Sequence, residues 1–326
     1  MSTKSAVLTA LERAGGAWVT GGGLAAELGL SRTAVWKGIE SARRDGFQIE
    51  SVTGRGYRLV TAGDTLSRES IALYLENPEQ AGRIRVEPEL DSTNNRARQL
   101  AVGGAPDGTA VFALRQTGGK GRKGRAFFSP PGGLYLSVVL RPSFGSEQSV
   151  LITTAVCVCV CRAIQKVTGF EPQIKWVNDL FLRGKKICGI LTEAITDMES
   201  GTIGSIIVGI GVNYCLREEE IPEELREVVG SVIPEGRPHP PRARLAAEIL
   251  NQMEGLKEMV LSREFIREYR ERSLVVGREV RVITPVAEYE AVAEDIEEDG
   301  ALRVRTPDGE QRCLRSGEIT IRPKKF

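Results

Sequence analysis

The stretch Gln116-Thr-Gly-Gly-Lys-Gly-Arg-Lys-Gly-Arg125 constrains the fold of this chain more than any other. Between Thr117 and Arg125 it packs four glycines and four basic side chains into nine positions. Glycine at this density disfavours both helix and strand, and so many like charges repel one another until an anion arrives. Glycine also lets backbone N–H groups approach such an anion closely. Lys120, Arg122, Lys123 and Arg125 supply charge for a phosphate or carboxylate. Apolar, β-like runs at 108–114 and 133–140 flank the stretch, which makes it a loop within one domain rather than a linker. It is expected to be mobile when empty and to order around an anion. No Gly-Lys-Ser or Gly-Lys-Thr closes it, so it is not a Walker A loop.

Composition narrows the setting. With 326 residues the chain has room for two domains or more. Lys and Arg total 44 and Asp and Glu 43, so the whole protein has no net attraction for nucleic acid, although a local basic face is compatible with this. The single histidine, His239, lies in Arg237-Pro-His-Pro-Pro and reads as part of an exposed, extended loop. One histidine excludes histidine-rich metal sites and argues against histidine acid–base chemistry. The most apolar run, 150–161, is shorter than the about 20 residues that span a bilayer. The N-terminus lacks a signal-peptide pattern, and six cysteines in a chain this long are no disulfide framework. These features predict a reduced, cytoplasmic protein. Cys157, Cys159 and Cys161 alternate, but their flanks predict a helix, on which residues two apart point about 200° apart. They read as buried small hydrophobes, and no metal ligands are assigned.

Pattern divides the chain into residues 1–65, 66–273 and 274–326, an α+β multidomain class. The first part shows helical spacing at 6–13 and 22–28, and a third helix capped by Ser31 that runs to Arg44. Two β-like runs follow at 47–52 and 57–60, joined by Thr53-Gly-Arg-Gly56. Three helices and a hairpin in this order make a winged helix-turn-helix. Residues 1–60 carry eight basic and five acidic side chains, a local charge of +3. Ser31, Arg32, Thr33, Lys37, Arg43 and Arg44 on the third helix suit phosphates and base edges, and Arg55 sits at the wing tip. Trp36 is expected to point into the core. The bland alternative is a solvated helix in an oligomerisation module.

The middle part is a mixed α/β domain, with strands expected at 108–114, 133–140, 173–176, 186–193 and 203–213 and helices at 94–101, 150–167 and 242–271. Neighbouring strands without intervening helices favour α+β over a doubly wound sheet. The last part is β-rich, with strands expected at 279–283, 288–294, 301–305 and 311–314, and suits a small barrel. The glutamates between Glu218 and Glu227 read as a solvated face.

Three further clusters share the middle part. Asp91-Ser-Thr-Asn-Asn95 brings hydroxyls and amides to a helix N-terminus. Lys175-Trp-Val-Asn-Asp179 ends a strand and puts Asn178 and Asp179 in the turn after it. Lys186-Ile-Cys-Gly-Ile-Leu191 opens another strand, with Gly189 permitting close approach. Together with Gly119–Arg125 and the strand end Gly209–Asn213, in this order, the set resembles the bifunctional biotin–protein ligases that also repress the biotin operon. The resemblance covers nearly the whole chain.

The resemblance implies a catalytic middle domain, an SH3-like C-terminal barrel and a two-step reaction. Biotin and ATP, with Mg²⁺, give biotinyl-5′-AMP, and a lysine of biotin carboxyl carrier protein then takes the biotinyl group. It also implies a homodimer that binds operator DNA when it holds the adenylate, and no membrane. Biotin contacts are implied for Ser92, Thr93, Asn94, Gln116, Lys120, Gly121, Arg122, Lys186 and Gly189. Nucleotide contacts are implied for Arg122, Arg125, Phe127, Asn178, Lys186 and Asn213, and catalytic roles for Arg122, Lys186 and Asp179. Three positions depart from the family pattern: Lys120 stands for Arg, Val177 for Pro and Phe127 for a frequent Trp. Altered affinity is expected from them rather than lost activity. The competing readings are a ligand-sensing repressor with weak catalysis, a ligase whose winged domain only supports the active site, and a lipoate-type ligase.

Overall fold

The computed structural model describes residues 3–14, 16–44, 47–61, 66–141, 149–196, 203–237, 239–284 and 286–321. The boundary expected near Thr65 lies outside them. In chain order the elements are α1 (Thr3–Arg13), α2 (Gly21–Leu28), α3 (Arg32–Arg44), β1 (Gln48–Val52), β2 (Gly56–Thr61), α4 (Arg68–Ala72), β3 (Ile84–Leu90), α5 (Thr93–Val102), β4 (Thr109–Gln116) and β5 (Leu134–Leu140). They continue as α6 (Ser149–Thr168), β6 (Gln173–Lys175), β7 (Asp179–Leu182), β8 (Lys185–Thr196), β9 (Ile203–Val212), α7 (Arg242–Met253), α8 (Leu256–Ser262), α9 (Phe265–Glu271), β10 (Glu279–Ile283), β11 (Glu288–Ile296), β12 (Leu302–Arg305), β13 (Gln311–Leu314) and β14 (Glu318–Ile321).

The chain forms two compact units. One comprises Met1–Gly82 with Pro240–Asn251, and the other Arg83–His239 with Gln252–Phe326. In the first, α1, α2 and α3 close on Val7, Leu8, Leu11, Leu24, Val35 and Ile39, and the β1–β2 hairpin adds Ile49 and Leu59. The Thr20 hydroxyl accepts the Gly23 N–H at 3.0 Å and starts α2. The Ser31 hydroxyl accepts the Ala34 N–H at 3.1 Å and starts α3. Helix–helix–helix–hairpin is the expected order. Trp36 corrects the sequence reading: it is 53% exposed, because Val35, Gly38, Ile39 and Ala42 already fill the buried face of α3. Tyr74 donates to Glu12 at 2.9 Å, and Asn251 holds the backbone of Tyr74 and Glu76, so residues after α4 belong to this unit.

The second unit is built on a seven-stranded sheet of order β3-β4-β5-β9-β8-β7-β6. Only the β3–β4 ladder is parallel, as an α+β class requires. Ala97 and Ala101 of α5 pack on Val111, Val139 and Ile207 of the sheet. The helix α6 is longer than the apolar run that marks it. By length and composition Leu151–Thr168 would cross a bilayer, but 72% of it is buried within the protein. Its Cys157, Cys159 and Cys161 point to separate partners: the carbonyls of Val177, Gln252 and Pro172. Burial pushes the Cys159 and Cys161 thiols up to about 12.

Three other expectations need correction. The helix expected at 242–271 is three helices, because Gly255 breaks the pattern and Arg263 closes α8 in the left-handed region at φ 60. His239 is partly buried, its ring edge-on to Tyr214 with centroids 5.4 Å apart, since the buried phenol ring offers the imidazole an apolar seat. The C-terminal part is a five-stranded antiparallel sheet of order β13-β12-β11-β10-β14, whose end strands β13 and β14 do not pair, so the ladder is not closed. β14 escaped the sequence reading, although Glu-Ile-Thr-Ile alternates as a strand should.

Candidate functional site

A cavity of about 230 Å³ opens at the ends of β4, β6, β8 and β9. The start of α5 contributes Ser92, Thr93 and Asn94, and β4 ends in it at Gln116. The glycine-rich loop contributes Lys120, Gly121, Arg122, Arg125 and Phe127. The β6–β7 turn brings Asn178, the first residue of β7 brings Asp179, and β8 brings Lys186 and Gly189. Thus all but one of the expected ligand residues of this unit line one cavity. The exception is Asn213, which is buried and absent from the wall. Its Nδ2 donates to the Lys186 carbonyl at 3.3 Å and its N–H to the Ile187 carbonyl at 2.8 Å. It braces the backbone behind Lys186.

One end of the cavity is a polar cage. Gln116 Oε1 accepts the Thr93 N–H at 2.8 Å and the Thr93 hydroxyl at 3.1 Å. Gln116 Nε2 donates to Ser129 at 2.9 Å, and Ser129 donates to the Phe127 carbonyl. Ser137 donates to Asn94 Oδ1 at 2.6 Å, while Asn94 Nδ2 donates to Glu193 at 2.7 Å. The Ser92 hydroxyl makes no capping bond. The floor is glycine because nothing larger fits. A Cβ on Gly209 would run into the Asn94 amide, and one on Gly211 into the Phe127 ring, which also lies 3.1 Å from the Cβ position of Gly189.

The other end is cationic. Four basic side chains line it, namely Arg122, Arg125, Lys175 and Lys186, against two carboxylates, Asp179 and Glu318, and a fifth, Lys120, reaches Asn95 beside the cage. Both carboxylates are engaged. Asp179 Oδ1 lies 2.7 Å from Lys186 Nζ, and Glu318 pairs with Arg125 and, at 3.5 Å, with Lys123. The Arg125 hydrogen bond holds the Glu318 carboxyl below its usual range. Burial lowers the Lys175 pKa, and Asp179 works against that shift. Arg122 donates to Asn178 Oδ1 at 3.1 Å, and Asn178 is itself tied to Ile190. The excess of charge suits an anion, and the cage beside it suits a neutral polar head.

The loop between these ends is a small hairpin. Phe127 N–H donates to Gly119 at 2.8 Å and Gly121 N–H to Arg125 at 2.7 Å, around one 3₁₀ turn at Arg122–Gly124. Lys120 donates to Asn95, whose amide donates to Asp91. That amide is the main reason the Asp91 pKa is lowered. The Trp176–Val177 peptide is cis. The sequence reading missed Lys175, Gly209, Gly211 and Glu318 as wall residues. Lys175 and the two glycines belong to motifs already marked, whereas Glu318 has no local signal.

In the first unit Arg32, Thr33, Lys37, Arg44 and Arg55 are exposed. Ser31 is exposed too, but its oxygen is occupied as the cap of α3. Arg43 turns inward, giving two hydrogen bonds to the Ile49 carbonyl at 2.9 and 2.7 Å and one to Glu40 at 2.6 Å. It ties α3 to β1.

Comparison with known proteins agrees with this geometry. The biotin/lipoate A/B protein ligase family matches residues 86–213, an HTH domain residues 3–58, and the biotin protein ligase C terminal domain residues 275–322. The bifunctional ligase/repressor BirA of Bacillus subtilis is 32% identical over 91% of this chain and 92% of its own length. That of Escherichia coli is 29% identical over 95% and 94%. The structure of a biotin protein ligase from Aquifex aeolicus in complex with biotin and ATP superposes with a TM-score of 0.62 at 29% identity, covering 73% of this chain and 98% of that one.

Proposed function

The chain belongs to the family of the bifunctional ligase/repressor BirA, and on that premise we propose that it activates biotin with MgATP, biotinylates a carrier protein and represses transcription through its winged unit. The observation that carries the enzymatic half is the cavity with a hydroxyl–amide cage at one end, Lys120 beside it, and four basic side chains at the other. The uncharged head of biotin needs the cage, and its carboxylate and the triphosphate of ATP need the cations.

In the first step a biotin carboxylate oxygen attacks the α-phosphorus of ATP. The bond to the bridging oxygen breaks, pyrophosphate leaves and biotinyl-5′-AMP forms. In the second, the ε-amine of a carrier lysine attacks the acyl carbon, the carbon–oxygen bond to AMP breaks, and the amine loses a proton. Neither step needs a histidine or a covalent enzyme nucleophile, so catalysis rests on position and charge. Lys186 offsets charge on carboxylate and phosphate. As it turns to these oxygens it releases Asp179, which then orients the amine or takes its proton. Arg122, held by Asn178, covers the adenylate and keeps water from the anhydride.

Ser92, Thr93, Asn94 and Gln116 hold the biotin head, with Lys120, Gly121 and Gly189 beside it. Arg125, Phe127 and Asn178 take the nucleotide. Magnesium would arrive with ATP as part of the MgATP substrate, where it would neutralise phosphate charge.

We take residues 1–65 as the reading head, 66–273 as the catalytic domain, of which 66–82 and 240–251 belong to the same compact unit as the head, and 274–326 as a small SH3-like fold whose sheet is open between β13 and β14. A homodimer of the adenylate-bound chain reads two half-sites of operator DNA. The partners are a biotin carboxyl carrier protein and that operator, in the cytoplasm and away from the membrane. The six free cysteines support a reducing compartment.

Purified chain with biotin, MgATP and an isolated carrier domain tests this reading. Pyrophosphate release together with a biotinylated carrier is expected. A tightly bound ligand without either product would leave a sensing repressor, and acylation with lipoate but not biotin would move the chain to the lipoate ligases.

A further inference from the structure

We propose that Trp36 reads thymine in the DNA bound by the first unit, a deepening of the repressor reading above. Helix α3 buries Val35, Gly38, Ile39 and Ala42, which leaves Arg32, Thr33, Trp36, Lys37 and Arg44 on its water-facing side. Trp36 lies in the middle of that side, 53% exposed, and is the one aromatic among the strongly exposed large hydrophobics of the described residues. A flat apolar ring set among cations asks for a partner that is polyanionic outside and apolar within reach. The major groove of DNA meets both demands: phosphates edge it, and the thymine C5-methyl is the apolar group on its floor. It is also wide enough to admit an α-helix. The indole N–H adds a donor for the acceptor atoms that share that groove. With Arg43 tied to Ile49 and the Ser31 oxygen used as a cap, the reading surface is narrower than the run of basic residues implies, and Trp36 stands at its centre.

Thymine readout makes two demands that phosphate binding does not. Removing the methyl matters only while the indole is present, and removing the indole leaves the salt dependence alone because Trp36 carries no charge. The test starts by selecting from a random-sequence duplex pool with the full chain, biotin and MgATP. Each thymine of the enriched duplex is then replaced by uracil, and binding is measured for the wild-type chain, W36A, W36F and K37A.

At one position per half-site, uracil should weaken wild-type binding about fivefold, the scale of one buried methyl. W36A should bind the enriched duplex more weakly and show no further loss with uracil, while W36F retains part of the effect. The slope of log affinity on log salt should stay the same in W36A and fall by about 1 in K37A. The uracil series on the wild-type chain needs no variant, so a poorly folded W36A would not rescue the idea. A uracil effect that persists in W36A, or no uracil effect at all, overturns the role of Trp36 while leaving DNA binding intact. If no sequence is enriched, the repressor reading fails and this proposal with it.

Discussion

Lys186 Nζ and Asp179 Oδ1 meet at 2.7 Å across the β7–β8 ladder, about a quarter exposed on each side. The ammonium proposed to meet the substrate's anionic oxygens therefore rests against the carboxylate proposed to meet the incoming amine. Within this pair charge is balanced, while the wall as a whole keeps its cationic excess; on the proposed roles, substrate binding converts the pair into two groups free for the reaction.

This pairing separates the two half-reactions. Lys186→Ala should lower adenylate formation by about 10²- to 10³-fold, the scale for losing one preorganised charge on developing negative oxygen. Asp179→Asn should slow adenylate formation less than tenfold but transfer by about 10²-fold at neutral pH, with recovery as the pH rises and the amine deprotonates unaided. Pyrophosphate release and carrier biotinylation, measured in parallel, decide between them. Equal losses in both assays for both variants would contradict the division of roles.

Glu318 anchors the far end of the loop through Arg125 and Lys123. Glu318→Gln should speed tryptic cleavage within Lys120–Arg125 and escape of the adenylate by about two- to fivefold, as suits a partly exposed pair. Its carboxyl titrates below the ordinary glutamate value of about 4.3 because Arg125 hydrogen-bonds it. The pairing therefore contributes above that ordinary value and is lost as pH falls through the lower folded one. Adenylate retention should be level from about pH 5 upward and decline only in stronger acid, which a filter-retention series across pH would show.

Gly209 and Gly211 lie under Asn94 and Phe127 with no room for a methyl group. Gly209→Ala should displace the Asn94 amide and raise the biotin KM by at least about tenfold with less effect on the ATP KM, at a stability cost of about 1–3 kcal/mol from overpacking. Gly211→Ala should act through the Phe127 ring. Steady-state kinetics with each substrate varied separate the two.

The loop and the motifs around it were legible because their signals are local. Glycine spacing, clustered charge and strand alternation sit within a few residues of one another. What escaped depends on packing. Asn213 belongs to a marked motif, but its hydrogen bond to the Lys186 carbonyl follows from the β8–β9 pairing beside it and has no local signal. Glu318 reaches Arg125 from 193 positions away, on a strand the reading did not mark. Trp36 and Arg43 exchanged their expected places, one facing water and the other the fold, because apolar neighbours already filled the inner face of α3 and the Ile49 carbonyl needed a donor.

Arg43 and Arg55 should therefore respond differently to alanine. Arg43→Ala should lower the melting of the first unit, at a cost of about 1–3 kcal/mol for lost hydrogen bonds to a charged group. Arg55→Ala at the wing tip should leave melting unchanged and reduce the salt slope of DNA binding by about 1. Thermal denaturation and salt-titrated binding check the pair.

Whether this cavity makes an adenylate is read most directly by mass spectrometry of the full chain after incubation with biotin and MgATP. The expected result is a retained biotinyl-5′-adenylate with one pyrophosphate released per filled site, lost in Lys186→Ala and discharged to AMP when a carrier domain is added. Biotin and ATP recovered unchanged from well-folded protein would contradict it.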